Sequence, residues 1–430
     1  MRLLSLLLLA PAALAAQTTD GATMSELTQR VTAVTPRVVT WRRDIHEHPE
    51  LSFQETRTAA LVAAHLRSLG LDVTTGVGGN GVVGVLHGSK PGPVVALRAD
   101  MDALPVTEQG SLPFKSTVRA TYNGQDVGVM HACGHDNHVA ILMGVADVLS
   151  GMKDKFPGTV KFFFQPAEES PPVGGAGPMI AAGVMEHPHV DAVFGLHVGP
   201  GPLGAVSYHA NGWLAAADAY RIVVHGRQAH GGMPWNGVDP IVVGAQIVLG
   251  LQTVVSRQVD LTTSPAVVTV GAFNGGVRNN IVPDSVVLIG TIRTFDEGVR
   301  HEVFTRVRRT AENIALASGA KADVEITEGY PVTINDPALL DRMLPTLRRM
   351  AGAQMVAEST PATAAEDFSK FAQKAPGLFV SLGVTAPGID WHTAAPNHSP
   401  LFAADEAALP VGVRVMSGLA IDYLNGQAKR

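Results

Sequence analysis

Short apolar runs alternate with longer segments of helical periodicity along the first half of the chain. The apolar runs predict strands at residues 82–86, 94–98, 160–164 and 190–196. Helical spacing covers most of residues 24–71, with a break at Pro49, and it returns at about residues 137–149. Because strands alternate with helices, we predict an α/β fold with a mostly parallel sheet.

The pattern changes from about residue 215. Residues 220–224 alternate like a strand, and Asp239 with Pro240 would cap and begin a helix that continues to residue 259. Further strands and a helix are predicted at residues 266–270, 286–294 and 297–318. This order fits a compact α+β domain inserted into the first domain. We therefore predict one domain formed by residues 24–214 and 325–430, and a second formed by residues 215–324.

The N-terminus has the pattern of a secretory signal peptide. A positive start at Met1-Arg2 precedes an apolar stretch, and Ala13-Leu14-Ala15 offers a cleavage site of small residues. We predict a signal peptide over residues 1–16 and an exported protein, either periplasmic or secreted. A membrane anchor and a buried N-terminal helix are the alternatives. No later segment has the pattern of a membrane span, so we expect no membrane contact after cleavage.

Composition narrows the classes of partner. The chain has 430 residues, too many for one ordinary domain, and 46% of them are hydrophobic. The net charge is −6, from 32 basic and 38 acidic residues, and there is no basic cluster. This balance argues against a nucleic-acid partner.

Cys133 is the only cysteine, and histidines surround it at positions 131, 135 and 138. A thiolate and an imidazole two residues apart can bind one cation or two neighbouring cations. The predicted helix that follows would lower the pKa of the thiol through its positive end. A buried small cysteine beside structural histidines is the alternative.

Other polar residues follow the predicted strands. Asp100 and Asp102 follow one strand, Glu168 and Glu169 follow another, and His197 closes a third. Ligands of open α/β sheets bind beyond the carboxyl ends of the strands, so these residues predict one shared site. One glutamate could bind metal while its neighbour transfers protons. Taken alone, paired glutamates are typical of a solvated turn, and a lone histidine of a structural residue.

Later candidates are weaker. His392 and His398 share a loop before the last predicted helix, and spacing does not choose between them. His230 lies in a loop rich in Gly and Pro, where it could be inert. Asn280 lies in a turn, and Arg293 ends an apolar strand. Arginine can bind a carboxylate through two parallel hydrogen bonds, although an ordinary edge-strand arginine is the alternative.

Taken in order, these segments resemble the aminoacylase/carboxypeptidase superfamily of metallopeptidases. The resemblance is to the branch of hippurate hydrolases and auxin-conjugate (indoleacetyl-amino acid) amidohydrolases, and it covers about residues 42–405. The segments that match are residues 46–51, 97–105, 130–138, 165–169, 195–198, 289–294, 366–369 and 398–402, together with the His230 loop. Departures are mild: Val282 stands where the family usually has isoleucine, and Pro171-Pro172 could alter the loop beside the site.

The resemblance implies a two-metal catalytic domain and an inserted lid domain through which two subunits form a homodimer. It implies these metal ligands: Cys133 as a bridge, His135, Glu169, His197 and His398, which favours His398 over His392. Glu168 would be the general base, with Asp102 and Glu366 as supports. His230 would reach the active site of a partner subunit and donate a hydrogen bond to the oxyanion, while Asn280 and Arg293 would bind the substrate carboxylate.

The activity implied is hydrolysis of the amide bond of N-acyl amino acids, which releases a carboxylic acid and a free amino acid. Dipeptidase or carboxypeptidase-like cleavage of short peptides is the alternative. Two divalent ions per subunit are expected, and Mn, Zn, Ni or Co all fit the resemblance; thiolate with imidazole favours zinc, and carboxylate leaves manganese open. A thiol enzyme with Cys133 as nucleophile would not explain Glu168 and Glu169, and an exported binding protein would not need an intact set of ligands.

Overall fold

The structure is a computed structural model that describes residues 21–427. The predicted signal peptide, residues 1–16, lies outside the described residues.

Two groups of elements correspond to the two periodic patterns of the sequence. The α-helices are α1 (Gly21–Glu47), α2 (Thr56–Ser68), α3 (His135–Ser150), α4 (Ala176–Ala181), α5 (Pro240–Gln258), α6 (Glu297–Ala317), α7 (Pro337–Ala351), α8 (Phe368–Ala372) and α9 (Leu409–Gln427). The strands are β1 (Asp72–Val77), β2 (Gly81–His87), β3 (Val94–Asp100), β4 (Arg119–Tyr122), β5 (Gln125–Gly128), β6 (Thr159–Gln165), β7 (Ala192–Pro202), β8 (Val206–Tyr208), β9 (Asn211–Leu214), β10 (Ala216–His225), β11 (Ala229–His230), β12 (Ala266–Gly275), β13 (Ile281–Val282), β14 (Ser285–Thr294), β15 (Lys321–Tyr330), β16 (Thr333–Asn335), β17 (Val356–Glu358) and β18 (Gly377–Thr385).

The main domain is built on an eight-stranded sheet in the order β1-β2-β6-β3-β7-β18-β8-β17. Its centre, from β6 to β18, is parallel, which confirms the predicted α/β class. Alternate residues of β6 serve two cores: Phe162 and Phe164 pack towards the core that includes α1, α3 and α9, whereas Phe163 packs with Phe371 of α8. Helices therefore cover both faces of the sheet, and this explains why its central strands are apolar throughout.

The second domain is a four-stranded antiparallel sheet in the order β12-β14-β10-β15, with α5 and α6 packed on one face. As predicted, Asp239 caps α5, where its side chain accepts from the backbone N–H groups of Ile241 and Val242. The boundary expected at residue 324 lies inside β15, which pairs with β10 and continues to Tyr330. Residues 325–330, which were expected in the main domain, therefore belong to the sheet of the second domain.

Two described stretches are long and apolar enough to cross a membrane by length and composition alone: Pro240–Gln258 and Glu406–Gly426. In the second, 78% of the residues in its most apolar part are buried, as in a core helix of a globular domain. The first packs one face on the small sheet. The expectation of no membrane contact for the mature chain stays a prediction.

Candidate metal centre and active site

The structure brings the five predicted ligands together. The Cys133 Sγ lies 3.4 Å from the His197 Nε2, and the His398 Nε2 lies 3.0 Å from the Glu169 Oε1. Ligand atoms of Cys133, His135 and His197 lie within 4.8 Å of one another, and so do those of Cys133, Glu169 and His398. Cys133 belongs to both groups, which is the position a bridging ligand would occupy.

The elements that place these donors meet at one edge of the sheet. β3 and β6 end at Asp100 and Gln165, and the turn after β6 carries Glu168 and Glu169. His197 was expected to close its strand, but β7 continues to Pro202 because β18 pairs with it beyond the end of β3. His197 is therefore held by a neighbouring strand rather than by a loop.

Gly134 allows the close approach between Cys133 and the rest of the site. Its φ is +89°, a backbone conformation that residues other than glycine rarely adopt. A Cβ at this position would lie 2.5 Å from the Cγ2 of Val198, the residue after His197. Glycine is thus required for the start of α3 to contact β7.

Backbone carbonyls orient two of the imidazoles. The His135 Nδ1 donates to the Asp102 carbonyl at 2.8 Å, and the His197 Nδ1 donates to the Val198 carbonyl at 2.7 Å. In both residues the Nε2 is then free to bind a ligand, as metal-binding histidines require. The His135 Nε2 is buried without a hydrogen-bond partner among the described residues, and the Glu169 Oε1, also buried, lies 3.0 Å from the His398 Nε2. Orphaned donors of this kind fit a metal ion.

The electrostatics of the site lead to the same conclusion. Burial, followed by the charges of Glu169 and Glu168, raises the pKa of the Cys133 thiol well above its usual range. These effects outweigh the lowering expected from the N-terminus of α3. A buried space that holds a thiol and several carboxylates requires positive charge beside it for these groups to ionise, and divalent cations supply that charge.

Glu168 lies in an acidic environment. It is 7% exposed, and its carboxylate belongs to a group with those of Glu366 and Asp367. Burial, then the charges of Glu366 and Glu169, raise the pKa of Glu168 well above its usual range. A perturbed carboxyl group beside a donor cluster is a candidate for proton transfer.

Asp102 and Glu366, expected as supports, both contact the site. Asp102 accepts from the backbone N–H groups of Glu168 at 3.0 Å and Glu169 at 2.9 Å. Glu366 forms an ion pair with the buried Arg98 at 2.9 Å.

Several residues with no specific predicted role also support the site. The His138 Nδ1 lies 2.5 Å from the Asp100 carboxylate, and its Nε2 accepts from the Val198 N–H at 2.8 Å. Asn397 donates to the carbonyls of Cys133 and Val198, which ties the His398 loop to two other ligand segments. Asp100 and His138 were visible as polar residues in apolar surroundings, and so was Arg98. Asn397 gave no signal beyond its place next to His398.

A cavity of about 1000 Å³ opens onto the donors. Arg293 of the second domain lines it together with Glu168 and His398, so the predicted carboxylate anchor and the predicted base share one space. Aromatic side chains also line it, among them Trp213 and Trp391.

The remaining candidates lie elsewhere. In the described part of the chain, the lining of this cavity includes neither His230 nor Asn280. Both are exposed in the second domain, where the Gly231 N–H donates to the Asn280 carbonyl and His230 pairs with Ile281. His392 is exposed and stacks on Trp391, with ring centroids 3.5 Å apart, whereas His398 contacts Glu169.

Comparisons with known proteins agree with this geometry. The family model described as "Peptidase family M20/M25/M40" matches residues 96–422. Thermostable carboxypeptidase 2 of Saccharolobus solfataricus is 42% identical over 393 residues, which cover 90% of this chain and 95% of that protein. An IAA-amino acid hydrolase of Arabidopsis thaliana is 36% identical over 407 residues, which cover 93% of this chain and 88% of that protein. The crystal structure of a dinuclear metal binding peptidase of the M20 family from Bacillus subtilis superposes with a TM-score of 0.77 at 34% identity, over 92% of this chain and 99% of that one.

The fold and the donor cluster define a metal-dependent hydrolase of amide bonds, as the sequence predicted. The chain belongs to the peptidase family M20/M25/M40, which confirms the resemblance stated from the motifs.

Proposed function

We propose that this enzyme hydrolyses N-acyl amino acids, such as hippurate-like acyl or aryl conjugates, to a carboxylic acid and a free amino acid. The observation that carries the proposal is that four of the five donors line one cavity with Glu168 and Arg293: Cys133, Glu169, His197 and His398. An amide bond at the donors would place the carboxylate of the amino-acid half within the space that Arg293 borders. Arginine binds carboxylates with two parallel hydrogen bonds, which would select substrates with a free carboxylate.

Two divalent metal ions per subunit are part of this proposal. One would be held by Cys133, His135 and His197, and the other by Cys133, Glu169 and His398. Bound ions of this kind supply polarisation of the scissile carbonyl and acidification of water. Mn, Zn, Ni and Co all suit a set of thiolate, imidazole and carboxylate donors. The similarity to a dinuclear metal binding peptidase supports the number of ions.

Glu168 would move the proton. Its carboxylate accepts a proton from the attacking water and delivers it to the leaving amine nitrogen, so that the C–N bond breaks as a neutral amine departs. The backbone around Glu168 is fixed, since its N–H is bound by Asp102 and its carbonyl accepts from the Tyr330 hydroxyl at 2.5 Å.

A homodimer would complete the site. His230 and Asn280 lie outside the cavity of their own chain, and His230 is exposed. The same domain exposes apolar side chains, among them Trp235 (75% exposed) and Val277 (95% exposed), which suit a protein contact. In the proposed dimer, the partner's His230 donates a hydrogen bond to the oxyanion. The partner's Asn280 helps Arg293 to bind the substrate carboxylate.

The decisive test is a substrate screen with metal-reconstituted enzyme. We expect turnover of benzoyl-glycine and related N-acyl amino acids. Benzoyl-glycinamide, which lacks the carboxylate, should be cleaved far more slowly, and chelation should abolish activity. Efficient cleavage of unblocked di- and tripeptides with no turnover of N-acyl amino acids would favour the carboxypeptidase alternative, which the similarity to thermostable carboxypeptidase 2 supports. Activity that survives chelation would favour a thiol enzyme.

Export is proposed from the N-terminal pattern alone. N-terminal sequencing of the protein from its native host should begin near Gln17, and a mature chain that retains residues 1–16 would contradict a cleaved signal peptide.

A further inference from the structure

We propose that Glu55 is a positioning residue for Glu168, which it holds in place by fixing the turn that carries the catalytic carboxylate. Glu55 lies in the segment between α1 and α2, after the helix break at Pro49. This inference deepens the proposed function and rests on the role of Glu168 in it.

The contacts of Glu55 join two distant parts of the chain. Its side chain is completely buried, and its Oε1 accepts from the backbone N–H groups of Ala167 at 2.8 Å and Phe53 at 2.9 Å. Its other oxygen accepts from the Asn80 side-chain amide at 3.1 Å. A buried carboxylate that accepts from the residue before the base is therefore a direct link to the catalytic turn.

The backbone of Ala167 needs such a link. Its φ is +53°, in the left-handed region that residues other than glycine avoid. Conformations of this kind persist where the surrounding structure holds them in place. Phe53, the other N–H donor to Glu55, is also left-handed, with a φ of +63°. One carboxylate oxygen thus holds two unfavourable turns.

Asp102 holds the next part of the same turn. Its two oxygens accept from the N–H groups of Glu168 and Glu169. Three consecutive N–H groups, from residues 167 to 169, are therefore bound by two carboxylates, and Glu55 holds the first. Without Glu55, the Ala167 N–H would lose its acceptor in a buried place, and relaxation of the φ of Ala167 away from the left-handed region would displace Glu168. Glu169 is also tied by His398, so the base would be displaced more than the ligand.

A neutral side chain of the same length should serve almost as well. Burial, followed by the charge of Asp102, raises the pKa of Glu55 to about 7. A glutamine oxygen could accept from both N–H groups, and its amide would face Asn80, which can turn its own oxygen towards it. Aspartate keeps the charge but is one methylene shorter, so it cannot reach Ala167 from the same backbone.

The experiment compares Glu55→Gln, Glu55→Asp and Glu50→Ala in the metal-reconstituted full chain. Glu50 is the matched control, because it lies in the same segment and accepts from the N–H groups of Arg57 and Thr58 but has no contact with residues 166–169 among its hydrogen bonds. Values of kcat and KM, metal content and the thermal midpoint are measured for each variant. The substrate is whichever amide the wild-type enzyme turns over fastest.

We expect Glu55→Asp to lower kcat on the order of 100-fold, as small displacements of catalytic groups do, with KM and metal content close to wild type. Glu55→Gln should keep most of kcat, and Glu50→Ala should keep wild-type kcat while its thermal midpoint falls. The proposal is overturned if Glu55→Asp keeps wild-type kcat, if Glu55→Gln loses as much as Glu55→Asp, if Glu50→Ala loses as much, or if the loss follows a loss of metal. Failure of the proposed function would appear in the wild type, as absent turnover of N-acyl amino acids, and would leave these ratios measurable on peptides.

Discussion

In the proposed function proton transfer depends on Glu168, and replacement of this residue by glutamine keeps the shape of the side chain. Because general acid–base catalysis contributes roughly 10²- to 10⁴-fold to rates, we expect Glu168→Gln to lower kcat by about that factor. Metal content should stay at the wild-type value, because the proposed ligand is Glu169 and not Glu168. Elemental analysis and steady-state kinetics measure both quantities.

Glu186→Gln provides the control for this substitution. Glu186 is an exposed glutamate outside the cavity, and its carboxylate contacts the exposed His189. This variant should keep wild-type kcat. Wild-type turnover by a metal-loaded Glu168→Gln enzyme would remove Glu168 from the mechanism.

At the same scale, sequence neighbours of the ligands differ in ways that spacing alone does not reveal. His131 is two residues from Cys133, as is His135, yet burial lowers the pKa of His131 to about 3, and it belongs to none of the donor groups among the described residues. His135 enters the site because its Nδ1 is fixed by Asp102. The choice between such histidines is made by contacts from distant segments, which a local pattern does not contain.

The contact between α3 and β7 gives a prediction at the scale of elements. Gly134→Ala would place a Cβ against Val198 and hold alanine at a positive φ. We expect it to displace Cys133 from His197 and to weaken metal binding on the order of 10- to 100-fold, as disturbed ligand supports do. Metal titration followed by elemental analysis of the purified variant measures the change.

Gly183→Ala separates the steric effect from the backbone effect. Gly183 has a φ of +86°, close to that of Gly134, but a Cβ there would meet nothing within 4 Å. Both variants should lose about 1–2 kcal/mol of stability from the unfavourable backbone conformation. Only Gly134→Ala should lose metal affinity, and equal affinities in the two variants would contradict the steric argument.

Elements with strong local patterns were predicted well. The central strands and α3 were predicted because they are continuous runs of apolar residues or of residues with helical spacing. Asp239, as a predicted cap, indicated the start of α5. The extent of β15 was not predicted, because its pairing with β10 is decided by a partner about a hundred residues earlier. Likewise, the proposed ligands could be predicted because several of them are polar residues that follow apolar strands. Glu55 could not be predicted, since its role depends on a turn that begins more than a hundred residues later.

At the scale of the whole molecule, the two domains meet at the turn that carries Glu168. Tyr330 ends the last strand of the small sheet, and its hydroxyl donates to the backbone carbonyl of Glu168. Arg293 of the same sheet lines the cavity beside the donors. The second domain therefore contributes both a support for the proposed base and the proposed substrate anchor, although its residues are separate in the sequence from every proposed ligand.

Charge in the main-domain site leads to a prediction about pH and metal. In the chelated enzyme, burial, opposed by Arg98 and assisted by the charges of Asp100 and Asp367, raises the pKa of Glu366 to about 7. A carboxyl group with a raised folded-state pKa stabilises the fold below its unfolded value, near 4.5, and this contribution is lost as pH rises through about 7. Burial lowers the pKa of His135, but the carboxylates of Asp100 and Asp102 outweigh it and raise the value to about 10, so metal binding there must release a proton.

The titrations of Glu366 and His135 both increase the difference in stability between the metal-loaded and the chelated enzyme as pH rises. As pH rises from about 5 to about 7.5, the chelated form loses the contribution of Glu366, while metal affinity, and with it the stabilisation by bound metal, increases. We therefore expect the gap in thermal midpoint between metal-loaded and chelated enzyme to widen across this range, as scanning calorimetry at fixed free metal would measure. Glu366→Gln removes the first effect and should make the chelated form less sensitive to pH in this window. A difference in thermal midpoint that stays constant from pH 5 to 7.5 would show that neither Glu366 nor His135 is coupled to a bound cation.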